Sequence, residues 1–180
     1  MNKTLKMKLL FVILVTICLL NFPEKSSADD ADSIFLRAKD SMRKGQLDFA
    51  FSNLHFLTSL YPESKHYKPA LFALGEYYYD IGDYYNASEK FNEILNIDPE
   101  SEAKIFIKLY LIEIAKKRGR ADRVNSLKKE IVAYEQLSLL FRDFKEYLYI
   151  SALMKNYKAI YYIDKIEFFI DEKPFSTLFY

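Results

Sequence analysis

Gly82-Asp83-Tyr84-Tyr85-Asn86-Ala87 has a counterpart 37 residues earlier (82 minus 45), in Gly45-Gln46-Leu47-Asp48-Phe49-Ala50. Each segment is followed by a proline at the same distance, Pro99 in the later copy and Pro62 in the earlier one. A third glycine, Gly119, lies 37 residues beyond Gly82 (119 minus 82). A fixed period of this size is typical of a solenoid, in which each unit buries its apolar face against its neighbours. We therefore predict a mainly α-helical repeat protein of about three helix pairs that offers a binding surface.

The pattern of apolar residues changes near the C-terminal quarter of the chain. Between residues 34 and 134, apolar residues spaced three and four apart predict helices that end at glycine or proline. Over residues 157–180, β-branched and aromatic residues alternate, and Asp171-Glu172-Lys173-Pro174 is typical of a hairpin turn. This favours a small antiparallel sheet packed on the last helices, with a further strand between Phe144 and Leu153. The alternative is a degenerate fourth helix pair, because Asn156 lies 37 residues beyond Gly119 and residues 139–153 fit an amphipathic helix.

One unit of the repeat carries a known pattern. Residues 68–101 have the residue types of a tetratricopeptide repeat at Leu71, Leu74-Gly75, Tyr78, Ala87, Phe91 and Pro99. The chain resembles this family over residues 31–135, with a looser first copy and a degenerate third. The repeat style is similar to that of bacterial cell-envelope members, namely the Tol-Pal coordinator and the repeat-containing lipoprotein of the barrel-assembly machinery. The small residues Gly75 and Ala87 predict a close approach of the two helices of a pair. The aromatic rings of Tyr78 and Phe91 are predicted to fill the space between adjacent helix pairs.

The N-terminus has the anatomy of a secretory signal peptide. Lysines precede the apolar run Leu9–Leu20, and small residues before Asp29 suit cleavage after Ala28. The run is shorter than the roughly 20 residues that a membrane-spanning helix needs. We therefore divide the chain into a signal peptide at 1–28, a helical domain at 29–135 and a C-terminal β-rich segment at 136–180. We expect the protein to be exported, periplasmic or secreted.

A lipid anchor is the alternative fate of the leader. Cys18 is the only cysteine, and Val15-Thr16-Ile17-Cys18 resembles a lipobox except that Ile17 stands where a small residue is usual. Acylation of Cys18 would make the protein a lipid-anchored structural component of an outer-membrane assembly complex. Cleavage after Ala28 leaves a mature chain without any thiol, and therefore without disulfides or cysteine chemistry.

Composition and motifs argue against other classes of function. Hydrophobic residues make up 51% of the chain, which is enough to form a core. The formal net charge of +1 does not indicate the excess of positive charge that is typical of nucleic-acid-binding proteins. His55 and His66 are the only histidines and have no carboxylate pattern beside them. No nucleophile elbow, phosphate-binding glycine loop or metal-binding helix motif occurs. We expect no enzymatic activity and no cofactor.

The resemblance implies a binding groove. In tetratricopeptide repeats the first helix of each pair lines a concave surface, and aromatic residues interleaved with both signs of charge suit a peptide or a partner helix. The residues at these positions, which we call the candidate groove, are Phe35, Lys39, Arg43, Phe72, Glu76, Tyr79, Asp80, Glu113 and Lys116. We therefore expect an adaptor for a protein or peptide partner in the cell envelope, which binds in this groove or at the open edge of the terminal sheet.

A short basic cluster follows the third repeat's first helix. Lys116-Lys117-Arg118 stands beside Gly119, with Arg120 and Arg123 just beyond. Basic residues complement the negative end of a helix dipole, which is one explanation of the cluster. The other explanation is contact with an anionic lipid or cell-wall polymer.

Overall fold

The computed structural model describes residues 27–133 and 144–180, which form a helical part followed by a four-stranded antiparallel sheet. The helices in these ranges are α1 (Ser27–Arg43), α2 (Leu47–Leu60), α3 (Tyr67–Asp80), α4 (Tyr84–Ile97), α5 (Lys104–Lys117) and α6 (Ala121–Ala133). The strands are β1 (Lys145–Ile150), β2 (Asn156–Tyr161), β3 (Lys165–Ile170) and β4 (Lys173–Phe179). The prediction of a mainly α protein with a β-rich C-terminal segment is confirmed at this level.

The three glycines of the 37-residue period end α1, α3 and α5 in the same way. Their φ values are +70°, +81° and +66°, in the left-handed region that a side chain disfavours. At Gly82 the amide donates to the Tyr79 carbonyl at 3.0 Å, and the next amide donates to the Tyr78 carbonyl at 2.8 Å. The same two hydrogen bonds occur at Gly45 and Gly119. This is the Schellman arrangement, and it turns the chain from the first helix of each pair into the second.

The second helix pair is held together by a close approach at Gly75. A Cβ atom there would lie 2.7 Å from Cε1 of Phe91, so only glycine fits under that ring. Ala87, the other small residue, is fully buried. The Phe91 ring also stacks on Tyr110 of α5, with 4.9 Å between centroids and 15° between planes. The predicted role of small residues and rings is confirmed at this pair.

The sheet is a meander with strand order β1-β2-β3-β4. The hairpin turn between β3 and β4 falls on Asp171 and Glu172, both with positive φ, and β4 already begins at Lys173. Pro174 therefore lies in the strand and not in the turn that the sequence predicted. One face of the sheet buries Tyr157, Ala159 and Tyr161 of β2 with Ile166 and Phe168 of β3, while Ile170 and most of the opposite face are half-exposed.

One other expectation is corrected. A fourth helix pair is wrong for the described part of residues 136–180, because residues 145–150 form a strand with β-branched and aromatic side chains. α1 extends from Ser27, the first residue that the structure describes, and Asp29 and Asp30 lie in its first turn, where acidic side chains are favourable. The predicted cleavage point after Ala28 thus lies within the first turn of α1. Residues 1–26 and 134–143, with the apolar leader and the proposed boundary at 135/136, lie outside the described residues.

The core joins the sheet to the helices. One buried cluster contains residues of α3, α4, α5 and α6 together with Tyr157, Phe168 and Leu178 of the sheet. A second cluster is formed by α1, α2 and α3, and Ala152 from the β1–β2 connection packs in it. None of the helices within residues 27–133 is long and apolar enough to span a membrane. The sheet therefore packs on the helices through a continuous apolar interface, and this interface contains Phe72, Glu76 and Tyr79 of the candidate groove.

Candidate functional site: the face of α3 and α5 beneath the sheet

Three candidate groove residues of α3, namely Phe72, Glu76 and Tyr79, lie under the chain's own sheet. Phe72 is buried, and its ring centroid lies 5.0 Å from that of Tyr149 and 5.5 Å from that of Tyr157. The ring of Tyr79, further along α3, lies 6.2 Å from that of Phe175 of β4. Edge-to-face ring pairs of this kind add to the roughly 1.5–3 kcal/mol that each buried side chain contributes. The sheet therefore occupies the place that the resemblance assigns to a partner.

Glu76 is at the centre of this interface and is fully buried. Its Oε1 accepts hydrogen bonds from the Tyr157 hydroxyl at 2.5 Å and from the Ser151 hydroxyl at 3.2 Å. The Tyr157 hydroxyl also shares a 2.6 Å hydrogen bond with that of Tyr110. Oε2 of Glu76 has no hydrogen-bond partner among the described residues. A buried oxygen without a partner is costly, most of all when the group is ionised.

The electrostatics of the interface follow from this burial. Burial raises the pKa of Glu76 to about 7, although the Lys155 ammonium at 3.8 Å and the two hydroxyl donors oppose the shift. Burial and the neighbouring Glu76 also raise the pKa of Tyr157, which stays a neutral donor. Burial lowers the pKa of Lys155, but Glu76 and Asp80 outweigh this effect and raise it. Glu76 is therefore the group of this interface whose charge changes near neutral pH.

Polar contacts surround the apolar interface at its rim. Lys155 Nζ forms an ion pair with Asp80 at 2.9 Å. At the other end, the Ser176 hydroxyl of β4 donates to Glu113 at 2.9 Å, and the same carboxylate oxygen accepts from Lys116 at 2.6 Å. Each rim contact joins a candidate groove residue to a residue of the sheet or to its neighbour on α5. The rim contacts thus add polar links between the helices and the sheet segment at both ends of the interface.

The candidate groove residues of α1 lie apart from this network. The Phe35 ring stacks on His66, with 4.1 Å between centroids, and His66 Nε2 lies 2.8 Å from an Asp32 oxygen. Lys39 Nζ lies 6.0 Å from the Phe35 ring, and Arg43 is exposed. Phe35 is thus a packing residue between α1 and the α2–α3 loop, and of these three side chains Arg43 is the one most open to solvent.

Sequence reasoning did not find the residues that cover the groove. Tyr149, Ser151, Lys155, Tyr157 and Phe175 come from the segment for which the sequence predicts only strands. The contacts with α3 span 75 residues for Ser151 and 81 for Tyr157. A repeat pattern contains no signal for such pairing. The inward positions of a strand with period-two alternation were the one available hint.

The sheet has two edges, and they differ. The β3–β4 ladder has an irregularity between Phe168 and Phe169, and its edge strand contains Pro174, which cannot donate a hydrogen bond. β1, at the other edge, pairs with β2 in a regular register over its whole length. Its outward side chains include Leu148 and Ile150, which are 73% and 64% exposed. Among the residues that the structure describes, β1 pairs only with β2 and is therefore the less protected edge of the sheet.

Comparisons with known proteins do not identify the chain. No protein-family model matches it, and no curated protein matches it. Within residues 27–133 and 144–180, no group of histidine, cysteine, aspartate and glutamate side chains is arranged to hold a metal ion. The groove, its covering sheet and the β1 edge are therefore the candidate functional surfaces of the described residues.

Proposed function

We propose that this chain is an exported, non-enzymatic tetratricopeptide adaptor of the cell envelope that binds a protein partner. The observation that carries the proposal is the recurrence, every 37 residues, of a helix closed by the same glycine turn and followed by a second helix. The close contact of Gly75 with Phe91 agrees with the family's use of small residues and rings. Stacked helix pairs that bury their faces against one another commonly serve as binding scaffolds.

The sheet edge is the favoured contact surface. Phe72 and Glu76 are almost fully buried, so a partner reaches them only when the sheet leaves the helices. β1 has no second strand beside it among the described residues, so an extended partner segment can add to this edge through main-chain hydrogen bonds without such a rearrangement. Leu148 and Ile150, which lie on the same face of β1, would then pack against side chains on that face of the added strand. The near-neutral charge of the chain also fits a contact that does not depend on electrostatic attraction.

Affinity purification from envelope fractions tests this proposal. The double variant Leu148→Lys/Ile150→Lys places two charges on the β1 edge, where they discourage strand addition. The matched control is Leu36→Lys/Ile163→Lys, which changes two residues of 64% and 81% exposure elsewhere on the surface. We expect a specific protein to be captured by the parent and the control and lost by the edge variant. Equal capture by all three removes the edge from consideration.

The export part of the proposal has its own test. Mass spectrometry of the mature N-terminus is expected to find a chain that begins at Asp29. A chain that begins at an acylated Cys18 would instead support the lipid-anchored component of an outer-membrane assembly complex. A retained Met1 would contradict both forms of export processing.

A further inference from the structure

A second feature of the surface lies where α4 meets the turn between α5 and α6. It is an open pocket of about 240 Å³. Arg118, Arg120 and Arg123 line one side of it, polar side chains of α4 such as Ser88 line the other, and apolar side chains of α5 form part of its wall. Pockets for drug-sized ligands usually have about 300–1,000 Å³. This one therefore suits a small anionic group better than a whole organic ligand.

The three arginines are uncompensated. Each is exposed, and none forms an ion pair in the part of the chain that the structure describes. Several lysines of the helical part pair with carboxylates, among them Lys44, Lys68 and Lys108, whereas Arg43 and Lys117 are exposed and form no ion pair among the described residues. Arg118, Arg120 and Arg123 differ from these exposed cations because all three line one pocket. Glu89 is the one acidic residue among those that line the pocket. The lining thus carries an excess of positive charge in a protein that is close to neutral.

The backbone fixes where these side chains start. Arg118 and Arg120 flank Gly119, whose positive φ and two hydrogen bonds hold the turn in one conformation. Arg123 follows in the first turn of α6, whose N-terminal end carries a partial positive charge. Asp122 in the same turn offsets part of that charge. Because three positively charged groups line one pocket, an anion bound between them would reduce the repulsion among their charges.

We propose that this pocket binds a phosphate group, carried either by free phosphate or by the headgroup of an anionic lipid. Guanidinium groups present paired N–H donors that match the oxygens of a phosphate, and charge-assisted bonds of this kind are stronger than neutral ones. Arg118, Arg120 and Arg123 are the phosphate ligands in this proposal. The site is separate from the β1 edge and does not depend on the adaptor function.

The test compares the full chain with two variants of equal charge. Arg118→Gln/Arg120→Gln/Arg123→Gln removes the pocket cations, and Arg37→Gln/Lys44→Gln/Lys65→Gln removes three exposed cations from α1 and from loops beside it. All three proteins keep the same N-terminus, so any binding through the leader is common to them. Calorimetric titration with inorganic phosphate is expected to show saturable binding that weakens by about tenfold or more in the pocket variant only. It should also weaken with added salt.

Vesicles distinguish the two sources of the phosphate. In flotation assays, phosphatidylglycerol vesicles that retain the parent and the α1 control but lose the pocket variant assign the site to a lipid headgroup. Retention that is equal for all three proteins, together with pocket-dependent phosphate binding, assigns it to free phosphate. The proposal is overturned if the parent shows no saturable phosphate binding, or if the α1 control loses as much as the pocket variant. Circular dichroism checks that both variants stay folded, as expected for exposed side chains.

Discussion

Glu76→Gln should remove a pH-dependent part of the stability of this protein. The Glu76 carboxyl has a pKa of about 7 when buried beneath the sheet, against an ordinary value of 4.5. The folded protein therefore holds the proton to a higher pH than the unfolded chain does. The stabilising contribution of the neutral group is complete below pH 4.5 and is lost as the pH rises through 7. Glutamine keeps the shape and one acceptor oxygen but does not titrate.

The size of the effect follows from the shift. A difference of 2.5 pH units (7 minus 4.5) at about 1.36 kcal/mol per unit gives an upper bound near 3 kcal/mol. Since a domain is commonly stable by about 5–15 kcal/mol, this loss is large enough to measure. Four other groups that face Glu76 have pKa values raised above their ordinary values, which already lie above this range, and so keep their charge state: Lys155, Tyr157, Tyr110 and Tyr149. Asp80 forms an ion pair with Lys155.

Urea unfolding at pH 5 and pH 8 measures the effect. We expect the parent to lose up to about 3 kcal/mol of unfolding free energy relative to Glu76→Gln over this interval. The variant should be close to the parent at pH 5 and more stable at pH 8. The control is Glu89→Gln, which changes an exposed carboxylate on α4 and should leave the pH dependence of the parent unchanged. Parallel profiles for the parent and Glu76→Gln would refute the buried, proton-holding state of Glu76.

Three further changes have defined outcomes. Gly75→Ala forces a methyl group against the buried Phe91 ring and should lower the urea-unfolding free energy by about 1–3 kcal/mol, partly offset by the better helix propensity of alanine. Gly82→Ala meets no atom within 4 Å, so its cost of about 1 kcal/mol comes from the positive φ alone; no measurable loss on urea unfolding would contradict the Schellman turn. Tyr157→Phe removes one of the hydroxyls that lower the pKa of Glu76, so the midpoint of the pH-dependent stability should move to higher pH. The variant should also lose about 1–3 kcal/mol of unfolding free energy. An unchanged midpoint would contradict the hydrogen bond from Tyr157 to Glu76.

The helical repeats could be predicted from the sequence because their determinants are local. Gly45, Gly82 and Gly119 end helices through backbone hydrogen bonds that span only three to five residues. Gly75 and Phe91 were identifiable from the family pattern, since their spacing sets the contact between neighbouring helices. The strands were also predictable as a class, because alternation of side chains has its own period.

The covering of the groove could not be predicted for the opposite reason. Glu76 lies on a helix beside tyrosines, and its sequence neighbourhood is the same whether the carboxyl is exposed or buried. Its burial depends on Tyr157 and Ser151, which are brought to it by the docking of the sheet. Local periodicity does not predict that docking, because the contacting residues lie far apart in the sequence, with α4, α5 and α6 between them.

Zero-length cross-linking tests the central claim, that the sheet docks on the face of α3 and α5. A carbodiimide joins an amine and a carboxylate only when they touch, and Lys155 Nζ lies 2.9 Å from Asp80 Oδ2. The local pair Lys44–Asp40, at 2.6 Å, is the positive control. Mass spectrometry of the cross-linked monomer should find the Lys155–Asp80 amide as well as the control. A strong Lys44–Asp40 product without any Lys155–Asp80 product would contradict the docked sheet.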